Sequence, residues 1–255
     1  MTFTPAYDNT VFEARTEHGM HMLVRREGAS AIVRALAGGH GAPEPGGRGA
    51  VARFPWLPGR DGLVRRCRRG GIMRLMGGNY LLENRPLREF QAHCGAVGRG
   101  LSAPLPLGVA WTRLGPAWRG ALATEALVAP DLLAWLRAPE NTDPGVRATL
   151  LRRCGALVRE MHEAGVWHAD LQVKNLLAAD PGPVLIDFDR ARVGGKPGNL
   201  ARARNLLRFR RSLERHGLDG GLFAAFLDGY GPVTLPGWMD AAYRLRGAGR
   251  RGNVA

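Results

Sequence analysis

The stretch that most restricts how this chain can fold runs from residue 145 to residue 189. Residues 145–164 (GVRATLLRRCGALVREMHEA) place Val146, Leu150, Leu151, Cys154, Leu157, Val158 and Met161 at helical spacing. A polar loop follows: His168-Ala169-Asp170-Leu171-Gln172-Val173-Lys174-Asn175. After it come Leu176-Leu177, a Pro-Gly turn at 181–183, and a strand at 184–186 that ends in Asp187-Phe188-Asp189. Helix, loop, short hairpin and acidic strand end thus succeed one another within 45 residues. An ordinary surface loop with solvated polar residues is the plain alternative.

The residue types suit phosphoryl transfer, which asks a protein for positioning and charge and for little covalent work. One carboxylate must accept or orient the proton of an attacking hydroxyl, and Asp170 can do so from a short loop. A neutral side-chain oxygen a few residues later can share a metal with a second carboxylate, and Asn175 fits. A carboxylate leaving a buried strand can bridge Mg2+ to nucleotide phosphates, and Asp187 fits. Magnesium takes oxygen ligands and keeps several waters, so two protein oxygens plus phosphates suffice.

Gly165-Val166-Trp167-His168-Ala169-Asp170-Leu171 and Leu185-Ile186-Asp187-Phe188-Asp189-Arg190-Ala191-Arg192 resemble the 3-deoxy-D-manno-octulosonic acid (Kdo) kinases of the lipopolysaccharide kinase family. Gly47-Arg48-Gly49, Arg68-Arg69-Gly70-Gly71 and Arg88-Glu89-Phe90 are similar to that family as well. The D-F-D departs from the D-F-G usual in protein kinases. The resemblance implies an α+β, bilobal protein-kinase-like fold. Its small, mostly antiparallel β lobe is expected over residues 1–127 and its larger, mainly helical lobe over residues 128–255. It implies ATP and Mg2+ as cofactors, phosphorylation of the 4-hydroxyl of Kdo on Kdo-lipid A, and a peripheral place at the cytoplasmic face of a Gram-negative inner membrane. His168 is implied to support the loop without moving a proton. Asp189 either supports the metal site or salt-bridges Arg190 or Arg192. Gln172 stands where protein kinases often carry a lysine, and Lys174 either supplies that charge or is simply solvated.

In the small lobe, Gly47 and Gly49 sit in a glycine cluster whose backbone amides can approach phosphates, although a plain loop fits equally well. Kinases usually place a lysine on the following strand, yet this chain has no lysine before Lys174. On the strand-like run Gly62–Cys67, Arg65 is the candidate substitute, because a guanidinium binds phosphate bidentately; Arg66 and Arg68 are rivals. Glu89, on a helix-like run from Arg88 to Ala96, is the candidate partner of Arg65 or an exposed helix carboxylate. The run 121–127 reads as the last small-lobe strand and hinge, where backbone groups at Glu125 and Leu127 are placed to bind adenine. A further strand is expected at His21–Arg25, a Gly/Pro-rich stretch at 38–49, a helix around Leu132, Leu133 and Leu136, and broken helices over 198–248. Trp111, Trp118 and Trp135 read as core or interface residues.

Composition narrows the setting. The chain has 255 residues, 45 % of them hydrophobic, enough for a sizeable core. Three cysteines (Cys67, Cys94, Cys154) without metal-like spacing read as reduced thiols of a cytoplasmic protein. No secretory signal or spanning run is legible: the most apolar candidate, 121–136, is broken by Glu125, Pro130 and Asp131. The net charge of +14 is almost entirely arginine, in groups at 60–74, 202–215 and 244–251. Arg202, Arg204, Arg208, Arg210, Arg211 and Arg215 load a helix-like run, 199–215, whose Leu200, Ala203, Leu206, Leu207 and Leu213 suggest a buried face. Such surfaces draw anions. The expected partners are Kdo-lipid A and the anionic inner-membrane surface. No nucleic acid is expected, since zinc-finger, zipper and aromatic RNA-binding patterns are all missing. Three rival readings stay open: a heptose or aminoglycoside kinase of the same fold, a protein kinase, and a pseudokinase or arginine-rich binding protein without turnover.

Overall fold

A computed structural model describes residues 8–38, 42–43, 51–67, 80–81, 84–115, 117–218, 220–235 and 237–239 of the protein. Its contacts divide the chain into two compact units, one of Met1–Arg99 and Ala103–Val128, the other of Gly100–Ser102 and Ala129–Ala255. The architecture is α+β, with the large sheet in the first unit and most of the helix in the second.

In the first unit the strands are β1 (Phe12–Glu17), β2 (Met20–Arg25), β3 (Ala42–Pro43), β4 (Val51–Leu57), β5 (Arg60–Arg66), β6 (Tyr80–Leu81), β7 (Pro106–Leu114) and β8 (Ala117–Glu125). Among the described residues they form one antiparallel sheet in the order β1-β2-β7-β8-β5-β4-β3, with β6 also on β8. The β1–β2 hairpin closes through His18 and Gly19, both at positive φ (49° and 74°), the conformation a tight two-residue hairpin turn demands.

Strand alternation then sorts the apolar residues onto two faces. Met22 and Val24 of β2, Ala110 of β7, and Ala121 and Ala123 of β8 join one core with Phe54, Trp56 and Val64. Leu23, Val109 and Leu122, the intervening residues, join the other with Phe12, Cys67, Phe90 and Cys94. Helix α1 (Ala29–Gly38) covers the first face with Ile32, Ala35 and Leu36. Helix α2 (Arg85–Val97) covers the second with Phe90, whose ring meets Phe12 edge-on at 5.2 Å between centroids. Helix α1 was not foreseen, although its three core residues fall at helical spacing. Helix α2 begins three residues earlier than Arg88, because Asn84 Oδ1 accepts the Leu87 amide and Pro86 suits a first turn.

The second unit contains α3 (Leu132–Arg137), α4 (Pro144–Glu163), β9 (Val166–Trp167), a 3-10 turn (Val173–Asn175), β10 (Leu176–Leu177), β11 (Val184–Leu185), β12 (Arg192–Val193), α5 (Asn199–Arg215) and α6 (Gly220–Tyr230). Asp131 and Asp143 cap α3 and α4 by accepting the amides of Ala134 and Val146. Helix α4 buries Leu151, Cys154, Leu157, Val158 and Met161, as the spacing predicted, but Val146 in its first turn is exposed. Leu200 is likewise exposed at the start of α5, outside the buried Ala203, Leu206, Leu207 and Leu213. A first-turn residue leaves the core stripe where the chain enters the helix. Helices α4 and α6 approach so closely that a Cβ at Gly155 would overlap the Phe226 carbonyl, and one at Gly229 the Arg152 carbonyl. Cys67, Cys94 and Cys154 are free and buried; burial pushes the Cys154 thiol up to about 12.

Candidate active site

Loop 168–175 leaves β9, which pairs with β12, and enters the β10–β11 hairpin through the 3-10 turn. Hydrogen bonds tie it to the strand end beyond β11. Asn175 Nδ2 donates to the Asp170 carbonyl at 2.8 Å, the Ile186 amide donates to the Asn175 carbonyl at 2.9 Å, and His168 Nε2 pairs with the Ile186 carbonyl at 3.2 Å. Asp187 follows directly, exposed, with φ at 66°, a left-handed conformation that aspartate tolerates better than most residues. These ties bring the backbone of Asp170, Asn175 and Ile186 together. They also pin the Asn175 amide nitrogen inward, which leaves Oδ1 as the atom with ligand capacity.

His168 is buried, and burial lowers its pKa while the charges of Asp187 and Asp170 oppose that shift. A neutral imidazole donating from Nε2 to the Ile186 carbonyl is a brace between loop and strand end. Phe188 packs edge-on against it at 5.8 Å between centroids. Asp189 lies half-buried in the turn after Phe188, which the Ala191 amide closes on the Phe188 carbonyl. The Arg192 guanidinium sits over the Trp167 ring at 5.6 Å.

Both carboxylate oxygens of Asp170 are engaged. Gln172 Nε2 donates to Oδ2 at 2.5 Å, and Arg208 Nη1 from α5 donates to Oδ1 at 3.1 Å. Lys174, read from the sequence as either supplying a nearby positive charge or simply solvated, makes no ion pair among the described residues. The charge comes instead from a helix 38 residues away.

Helix α5 holds the rest of the loop as well. Asn205 Nδ2 donates to the His168 carbonyl at 2.7 Å, and the Val173 amide donates to Ser212 Oγ at 3.1 Å. Trp167 Nε1 donates to the Ala201 carbonyl at 3.1 Å. Because Asn205 spends its NH2 on His168, its Oδ1 accepts from His162 Nε2 at 3.0 Å, and His162 Nδ1 accepts from the Tyr230 hydroxyl at 2.9 Å. Burial holds His162 down at about 4. Sequence reading missed Asn205, Arg208 and Ser212 as loop-holding residues. Their signal was present: Asn205 and Ser212 interrupt an apolar stripe, and spacings of three and four put all three on one side of the helix.

In the first unit, Arg65 Nη2 pairs with Glu89 Oε1, and Glu89 is buried. Arg66, the next residue on β5, is exposed, as strand alternation requires, so of these two it is Arg65 that meets the glutamate. Glu125 uses its carboxylate on Arg60 Nη2 at 2.6 Å and its amide on the Leu105 carbonyl. Leu127 is half-buried just beyond β8, after Ala126 donates to the Asp61 carbonyl. Gly47, Gly49 and Arg68 lie outside the described residues.

Comparison with known proteins bears on this arrangement. The profile of the lipopolysaccharide kinase (Kdo/WaaP) family matches residues 50–230. A 3-deoxy-D-manno-octulosonic acid kinase of Xylella fastidiosa (strain 9a5c) is 32% identical over 178 residues, 68% of this chain and 69% of the relative. A protein of the same name from Xanthomonas campestris pv. campestris (strain B100) is 35% identical over 176 residues, 67% of this chain and 68% of its own. One from Vibrio cholerae serotype O1 is 30% identical over 183 residues, 69% and 74% of the two chains. A solved structure described as WaaP in complex with acyl carrier protein matches with a TM-score of 0.55 and 20% identity, covering 84% of this chain and 90% of that one.

Proposed function

This chain belongs to the lipopolysaccharide kinase (Kdo/WaaP) family, and we propose that it transfers the γ-phosphoryl group of ATP to the 4-hydroxyl of Kdo on Kdo-lipid A. The observation that carries the reading is the loop geometry. Asp170 stands at the surface with its backbone fixed to Asn175, and Asn175 is fixed to the strand end that presents Asp187. The relatives named above supply the acceptor class.

Asp170 orients the acceptor hydroxyl and takes its proton. The hydroxyl oxygen forms the new bond to phosphorus as the bond between phosphorus and the ADP oxygen breaks, and ADP carries away that electron pair. Arg65, steadied by Glu89, neutralises phosphate charge in place of a lysine. Backbone groups at Glu125 and Leu127 serve the adenine. The hard oxygen set of Asp187 and Asn175 Oδ1 fits Mg2+, which supplies charge neutralisation on the phosphate oxygens when bound. Among the described residues no helix is long and apolar enough to cross a membrane; the arginine-rich surface supports a peripheral place at the cytoplasmic face of the inner membrane, against anionic lipid. Liposome binding that ignores salt and anionic lipid content would contradict that location.

The test is incubation of the purified protein with ATP and Kdo-lipid A, followed by mass spectrometry of the lipid. One added phosphate on the Kdo sugar is the expected result. Transfer to a heptose or aminoglycoside acceptor in preference, or no transfer to any acceptor, overturns the assignment.

A further inference from the structure

The second unit contains a cavity of about 440 Å³ beside loop 168–175. Four arginines of α5 line it, Arg204, Arg208, Arg211 and Arg215, at spacings of four, three and four that set them on one helix face. Its lining holds one carboxylate, that of Asp170. A solvated basic face usually finds acids, and elsewhere on α5 it does: Arg202 pairs with Glu163, and Arg210 with Glu214. Arg204 and Arg215 have no acidic partner among the described residues. Trp238 closes another side of the cavity with its side chain largely exposed, at 65%. A concave surface with surplus guanidinium charge and an open aromatic face suits an anion carried on an apolar-faced ring, such as a sugar.

Arg208 fixes where that anion sits. A guanidinium has five N–H donors, and Arg208 uses Nη1 on Asp170 Oδ1. A second anion bound to its remaining donors lies one guanidinium away from the Asp170 carboxylate. The anion and the hydroxyl served by Asp170 then belong to the same small ring, and a phosphate on a distant part of a lipid is too far removed. We infer that this cavity is the acceptor subsite, that it takes the carboxylate of an acidic sugar, and that Arg204 and Arg211 determine the preference for an acidic acceptor, with Arg208 shared between that carboxylate and Asp170. The inference rests on the proposed function for the role of Asp170.

The experiment is a calorimetric titration of the full-length protein with Kdo, with its uncharged methyl ester, and with inorganic phosphate, repeated on Arg204→Gln, Arg211→Gln and Trp238→Ala. Arg34→Gln, an exposed position on α1, is the control. The acid is expected to bind at least about tenfold more tightly than the ester, as loss of one charge-assisted hydrogen bond implies. Each arginine substitution should weaken the acid by about tenfold and leave the ester unchanged; Trp238→Ala should weaken both. Equal binding of acid and ester, acid binding indifferent to Arg204 and Arg211, or inorganic phosphate competing as well as the acid overturns the inference. Turnover with ATP, measured separately, tests the other claim. Arginine-dependent binding without phosphorylation sinks the kinase reading alone, and phosphorylation with an acceptor KM untouched by both substitutions sinks the cavity alone.

Discussion

Glu89 and Asp170 are both carboxylates held by an arginine, and they are held in opposite ways. Glu89 is buried to 6% exposure against Arg65, on a helix packed over β7 and β8, the second of which neighbours the strand that carries its partner. Asp170 has a side chain 49% exposed, and its Arg208 partner is 52% exposed. A buried carboxylate cannot change partners cheaply, because without Arg65, itself 37% exposed, Glu89 would keep an uncompensated charge in low dielectric. An exposed pair is worth about 0–1 kcal/mol and can open for a ligand. The first arrangement suits a residue that fixes the direction of another side chain, and the second suits a base that must meet an incoming hydroxyl.

The sharpest way to break that comparison is substitution of Asp170. Asp170→Ala should reduce turnover by about 10²–10⁴ if it is the general base, with nucleotide binding retained. Its unfolding free energy should move by no more than about 1 kcal/mol, since an exposed pair is lost. Single-turnover kinetics with urea unfolding of the same preparation reads both. Unchanged turnover removes Asp170 from the mechanism. Glu89→Ala should show the reverse emphasis: a loss of about 1–3 kcal/mol of stability from the lost charge-assisted contact, less than for a fully buried pair because the Arg65 side chain is 37% exposed, measured by the urea midpoint. A loss below about 1 kcal/mol would show that Glu89 is not buried as described.

The next effect is shared by the units. Each holds a neutral buried histidine: His93 Nε2 donates to the Pro104 carbonyl at 2.8 Å in one, and His162 Nε2 to Asn205 in the other. Burial lowers both to about 4, from an ordinary value of 6.5. Between those values the unfolded chain binds more protons than the folded one. Stability therefore falls as pH drops from about 6.5 towards 4, and these two groups add little further loss below that. At pH 5 each imidazole contributes on the order of 2 kcal/mol of destabilisation. Urea midpoints at pH 7 and pH 5 check this, and His162→Gln should remove its own share of the difference between them, the rest belonging to His93 and to His168, whose pKa burial also lowers. A pH-independent midpoint would mean that neither ring is buried uncharged.

Local periodicity explains what the sequence revealed of this molecule. The cores of α4 and α5 and the strands β2 and β5 follow from spacing alone, and the loop residues Asp170, Asn175 and Asp187 from their order. The Arg65–Glu89 pair was reachable because a strand and the next helix carry it. Helix α1 is not legible in the sequence because its apolar spacing, carried by Ile32, Ala35 and Leu36, spans barely more than one turn before a glycine- and proline-rich stretch. Arg208 was visible only as one arginine among six on a basic run. Its contact with Asp170 depends on how α5 packs under the loop, a tertiary fact fixed by Asn205, Ser212 and the Trp167–Ala201 bond. Nothing in the neighbourhood of residue 170 announces a partner 38 residues away.

The smallest expected effect separates the two kinds of arginine on α5. Arg210 and Arg208 are two residues apart, and the helix turns them roughly 200° from each other. Arg210 pairs with Glu214 at 2.9 Å across one helical turn, and its guanidinium also lies over the Phe223 ring. A solvent-facing pair at this spacing is worth about 0.3–0.5 kcal/mol. Glu214→Ala should therefore shift the urea midpoint by that little and leave kcat and the acceptor KM at parental values. If Glu214→Ala instead raises the acceptor KM, the acid on that face does influence acceptor binding, and the division of α5 into a cavity side with surplus charge and a paired side fails.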